Sequence, residues 1–129
     1  MLSYRSQFLV LLGWIFIVTA LFKVIPEKQV AAVIAGIGFL LWPTLFLVNE
    51  FKKSTLNRVH AGLLLLFLVC SALPVFFLRV LNWGVDFNTL SFLGISGPVI
   101  HKFSNYFYLM MMASALYFWF QDRKSKQNK

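Results

Sequence analysis

The sequence predicts an all-α integral membrane protein: a four-helix transmembrane bundle with a short interfacial or re-entrant helix between the third and fourth spans. Three observations carry this. Hydrophobic residues make up 60% of the chain and charged residues 12%, against roughly 25% charged in a soluble domain. A fold of 129 residues cannot hide that much apolar surface from water. Four runs without a charge, Ser6–Phe22, Gln29–Asn49, Ala61–Leu78 and Phe103–Gln121, each approach the ~20 residues a helix needs to cross a bilayer. Lys and Arg fall between these runs, and unevenly. We expect one transmembrane domain over 1–129, with spans at about 6–25, 29–49, 60–78 and 98–121 and a basic cytoplasmic tail over 122–129.

The first run follows Arg5 as a signal peptide would, but Trp14, Ile15, Phe16 and Ile17 are bulkier than a cleavage site tolerates, so it reads as a retained span. Pro26 cannot continue that helix and marks a short turn. The second run carries Ala32 and Gly36 four residues apart, a small-residue face that lets a neighbouring backbone approach closely. "STLN", Ser54 to Asn57, offers N-caps for the third helix. Pro74 should distort that helix and free a carbonyl near Cys70. Cys70 itself reads as a small packing residue.

Between Arg79 and Lys102 lies a segment with no ionisable group in the 14 residues from Phe87 to Ile100, too short to cross. Phe87 to Leu93 is expected as the short helix, with Trp83, Phe87 and Phe92 in an aromatic belt at head-group depth. Gly94 and Gly97 break it, and Pro98 suits the first turn of the fourth helix.

With both termini cytoplasmic, Arg5, Lys52, Lys53, Arg58, Arg123, Lys124, Lys126 and Lys129 lie inside, and Lys23, Lys28, Arg79 and Lys102 outside. Eight against four satisfies the positive-inside rule, and a bacterial inner (plasma) membrane is the expected location. The net charge of +8 thus reflects topology, and no nucleic-acid partner is needed. The acids Glu27, Glu50, Asp86 and Asp122 are assigned to connections and tail; spans without a carboxylate argue against ion-coupled transport. No motif for hydrolysis, phosphate binding or metal ligation occurs, and no cofactor is expected. His60 and His101 fall at opposite faces, roughly 25 to 30 Å apart by helix rise, too far to share a haem.

The leading functional expectation is a non-enzymatic accessory or structural subunit acting through helix contacts with a partner subunit or a second copy. The alternative is a binder or carrier of a lipid, quinone or other apolar molecule. Asn105, Pro74, Arg79, Asp86 and His101 are the candidate site residues. An enzyme built on Arg79, Asp86 and His101 ranks third.

Overall fold

The structure is a computed structural model that describes residues 2–128; Met1 and Lys129, the latter one of the basic residues counted above, lie outside the described residues. The chain is helical almost throughout. Helix α1 spans Tyr4–Val24, α2 Lys28–Phe51, α3 Arg58–Phe67, α4 Leu73–Leu81 and α5 Gly97–Gln127. A π-helical segment, Leu68–Ala72, joins α3 to α4 in one continuous helix, Arg58–Leu81. Three helices, α1, α2 and Arg58–Leu81, are long and apolar enough to cross a membrane. Helix α5 is longer, at 31 residues, but Lys102, Asn105 and the charges from Asp122 onward make it more polar. It continues through Gln127, so the basic tail extends the same helix.

Local chemistry sets the helix limits. Ser3 caps α1 by accepting from the Ser6 amide, and Asn57, from the expected "STLN" group, caps α3 by accepting from the His60 amide. Pro98 sits in the first turn of α5, where its missing donor costs nothing. Pro74 acts differently from a simple kink. Its ring cannot tolerate the regular ladder below it, and the turn before it relaxes into the π segment, where the Leu73 amide bonds the Leu68 carbonyl five residues back.

Helix α1 packs on α2 and α5, and α3 packs on α2 and α5. At one end Tyr4 contacts His60 and Phe118; the N-terminus of α1 therefore meets the start of α3 and the C-terminal half of α5. This is the termini end. The core, Leu11, Phe46, Leu64, Phe67, Tyr108 and Met111 among others, lies along the middle. In lipid such a core gains little from the hydrophobic effect, so close van der Waals packing must hold it. Gly38 shows how close. A Cβ there would overlap the Trp14 indole, so α1 lays a tryptophan directly on the α2 backbone. Likewise a Cβ on Gly36 would stand 2.8 Å from the Phe76 ring, and the small-residue face of α2 receives α4.

At the opposite end, the expected helix over Phe87 to Leu93 is replaced by a single 3-10 turn, Phe87–Thr89, and a hairpin of strands β1 (Ser91–Phe92) and β2 (Ile95–Ser96). The reason is the Leu93-Gly94 pair, both at positive φ (51° and 81°), which reverses the chain in a tight two-residue turn. Asp86 caps the 3-10 turn by accepting from the Asn88 amide at 3.0 Å. This cap is tied down twice: the Gly97 amide donates to the Leu90 carbonyl at 2.8 Å, and the Gly84 amide to Gln29 Oε1 at 3.2 Å. Trp83 and Phe92 are exposed, whereas Phe87, the third aromatic of the expected belt, turns inward against Gly97.

Two further expectations are corrected. Glu50 is not in a connection: it lies in the last turn of α2, fully buried, because α2 runs two residues past the uncharged stretch. Cys70 is exposed, not packed, since it falls on the outward side of the π segment while its neighbours Ser71 and Ala72 face in.

Candidate functional site

A cavity of about 470 Å³ opens between α1, α2, α4 and α5 in the half of the molecule nearer the cap. Its size falls in the range of small-molecule sites. The floor is aromatic, formed by Phe39, Phe67 and Tyr108, whose rings meet edge to face at centroid distances of 5.4 to 6.3 Å. Tyr108 is fixed because its hydroxyl donates to the Leu11 carbonyl at 2.6 Å. The walls are apolar, with Val18, Ala35 and Val75 among them. The polar groups Arg79, His101, Ser104 and Asn105 line it toward the cap.

Ser71 stands apart from the other polar groups of the cavity, although the buried Trp14 and Trp42 indole nitrogens elsewhere are also without a partner. It lines the cavity, is fully buried, and its hydroxyl has no hydrogen-bond partner. Other helical hydroxyls satisfy themselves locally: Thr19, Thr44 and Ser104 each donate to the carbonyl four residues back, at 2.9, 2.6 and 2.9 Å. Ser71 sits in the π segment, where the ladder is displaced by a residue, and it forgoes that bond. An unmet buried hydroxyl costs about 1–3 kcal/mol.

Of the sequence candidates, Arg79, His101 and Asn105 meet at this cavity. Pro74 is buried beside it in α4 and acts through the π segment rather than as a wall. Asp86 lies in a second, smaller pocket of about 280 Å³ under the cap, which shares Arg79 and Phe22 with the first. Arg79, Asp86 and His101 are therefore neighbours of two adjoining cavities, but among the described residues no ion pair joins Arg79 to Asp86. Ala32 and Gly36 line the main cavity as well as packing α2 on α4.

The termini end carries a second polar assembly that sequence reasoning missed. His60, fully buried, lies with Nε2 2.6 Å from Gln7 Oε1 and Nδ1 2.8 Å from Ser114 Oγ. The Gln7 amide nitrogen donates to the Leu2 carbonyl, which turns its oxygen toward the imidazole. Nε2 therefore donates to Gln7, and Nδ1 accepts from the Ser114 hydroxyl. Both ring nitrogens are engaged, leaving none to ligate iron. Alongside, Lys53 Nζ donates to Glu50 Oε1 at 2.7 Å and stands 4.1 Å from the Tyr4 ring centroid. The Asn57 amide donates to Glu50 Oε2 at 3.4 Å. Burial disfavours the Lys53 ammonium, but Glu50 and Tyr4 more than offset this and its pKa lies above the ordinary lysine value. Each of these contacts crosses between elements or closes a helix end, so the assembly is built to lock the termini end. The available signal was the presence of Gln7 and Ser114 inside otherwise apolar runs.

Comparison with protein-family models, with curated proteins and with solved structures finds no match. The functional reading therefore rests on geometry.

Proposed function

We propose that this chain is a four-span membrane protein, with both termini cytoplasmic, that binds an apolar small molecule such as a lipid or quinone in the cavity nearer the cap. The excess of basic residues at the termini end supports that orientation, in which the cavity would lie in the outer half of a four-helix bundle. One observation carries the binding role: a 470 Å³ apolar cavity holds a fully buried serine hydroxyl with no protein partner. A chain that only braced other subunits would gain by closing this space and by bonding Ser71 to its own helix. The accessory-subunit reading ranks second, since the exposed apolar side chains are those any lipid-facing helix presents.

Native mass spectrometry of the protein extracted in mild detergent tests the reading. A small-molecule adduct at one per chain is expected, and Val18→Trp, which fills the cavity from a half-exposed wall position, should abolish it with little change in melting temperature. Absence of any adduct, or an adduct indifferent to Val18→Trp, refutes the binding role. A co-purifying protein in place of the adduct supports the accessory subunit.

A further inference from the structure

We infer that the cavity takes a lipid with an acidic head, its apolar chain lying on the aromatic floor and its head held by Arg79 at the rim, and that it enters sideways between α1 and α5. The inference rests on the binding role proposed above and specifies the ligand's chemistry.

Arg79 is half-buried and lines both the main cavity and the smaller pocket under the cap. It stands where the two cavities meet, and Lys28, Gln29 and Asp86 line the smaller one beside it. Among the described residues it makes no ion pair and no side-chain hydrogen bond. Its guanidinium carbon lies 4.1 Å from the centroid of the Phe87 ring, a cation–π contact. An arginine this close to the end of a spanning helix ordinarily extends its head into water. Here Phe87, a wall of the smaller pocket, holds it at the junction of the two cavities instead. Phe87 is itself held in place, because its carbonyl and ring lie so near Gly97 that a Cβ there would stand 2.7 Å and 3.1 Å from them.

No acid among the described residues pairs with Arg79. Asp86 lines the smaller pocket with it, and Asp86 Oδ1 caps the 3-10 turn. What remains is a planar five-donor cation at the mouth of an apolar chamber, with His101 and Asn105 on the facing helix and Lys102 one residue on. A guanidinium matches a carboxylate or phosphate with two parallel bonds. A neutral quinone head would leave that charge without a counter-ion, which an acidic head supplies.

The direction of entry follows from the packing of α1 on α5. Their named contacts all lie toward the termini end: Tyr4 with Phe118, Phe8 with Trp119, and Leu11 with Tyr108. Beyond Tyr108 the same two helices share the cavity wall, with Thr19 and Phe22 on one side and Asn105 and Leu109 on the other, all four exposed. The seam is thus closed at one end and open to the surrounding leaflet at the other. Acidic phospholipid and free fatty acid share the chemistry that Arg79 recognises.

The purified protein in non-ionic detergent is titrated with dioleoyl phosphatidylglycerol, oleate, dioleoyl phosphatidylcholine and oleyl alcohol, with occupancy read by native mass spectrometry. One phosphatidylglycerol or one oleate should bind at least tenfold more tightly than the uncharged or zwitterionic counterpart, and the tighter of the two identifies the source. Arg79→Gln should weaken the acidic ligands about tenfold and leave oleyl alcohol unchanged. Arg123→Gln, which removes the same charge from the helical tail, should alter neither, so general attraction to a basic protein is distinguished. If all four probes bind alike and Arg79→Gln has no effect, the acidic-head inference fails while the cavity's binding role stands. If none of the probes binds, the acidic-head inference fails; if Val18→Trp binds them as the wild type does, both fail.

Discussion

His60 offers the sharpest test of how the termini end is held. Its imidazole joins α3 to Gln7 of α1 and Ser114 of α5 through contacts of 2.6 and 2.8 Å, and all three side chains are buried. Replacing it with leucine keeps most of the volume but orphans the Gln7 carbonyl oxygen and the Ser114 hydroxyl. At ~1–3 kcal/mol for each of the two unmet buried groups, His60→Leu should cost about 2–6 kcal/mol. Interhelical hydrogen bonds in membrane proteins couple more weakly than that, averaging ~0.6 and reaching ~1.7 kcal/mol. The short His60–Gln7 bond belongs at the upper end of that range. The assay is a double-mutant cycle of His60→Leu and Gln7→Leu, followed by reversible SDS unfolding in detergent micelles. A coupling of about 1.5 kcal/mol is expected. Additivity within ~0.5 kcal/mol would show that the two side chains are neighbours without being partners, and the account of a locked end would fall.

Three other outcomes are expected. Ser71→Ala removes an unpartnered hydroxyl and should raise the melting temperature of the ligand-free protein while weakening ligand retention, whereas Thr44→Val, which deletes a satisfied hydroxyl facing away from the cavity, should leave retention unchanged; thermal denaturation and adduct occupancy measure the two effects. Gly38→Ala drives a methyl into the Trp14 ring and should cost about 1–3 kcal/mol as overpacking, with Trp14→Leu in the same chain restoring most of it in an unfolding titration. For Lys53, the folded pKa lies above its ordinary 10.5, so the ammonium's stabilisation is complete below the unfolded value and disappears as pH rises through the folded one. The stability difference between wild type and Lys53→Met should therefore be constant between about pH 8 and pH 10 and shrink only in stronger alkali; a difference that declines across neutral pH would contradict the Glu50 pairing.

The sequence made the helices legible because their signal is composition over long windows, and single errors average out. It made the cap's position legible too, but not its form. Phe87 to Leu93 is apolar enough for a helix, yet two consecutive residues at positive φ, Leu93 and Gly94, decide for a hairpin, and only the glycine announces itself in the sequence. Arg79, His101 and Asn105 could be brought to one end by counting turns. Ser71 could not, because its direction and its missing bond depend on the one-residue displacement of the π segment ahead of Pro74. The same limit explains Glu50, which charge alone assigns to a loop and which becomes a buried helical residue once Lys53 and the Asn57 amide stand ready to receive it.

The two ends of the molecule are built on opposite principles, and the cavity follows from the contrast. At the termini end, directional bonds from Gln7, Asn49, Glu50, Asn57, His60 and Ser114 fix four segments in register. Such bonds tolerate little sliding, so the helices there must stay at close quarters. Toward the cap the same helices surround the cavity with apolar walls and a few polar groups, and what closes the structure is the segment ahead of α5, tied through Leu90 to Gly97 and through Gly84 to Gln29. In a bilayer, apolar helix faces separate at little cost because lipid replaces the lost contacts. On the proposed reading the stack would open at the cap end without loosening its base, and a chamber whose floor is Tyr108 and whose rim is Arg79 would there receive a chain from the leaflet.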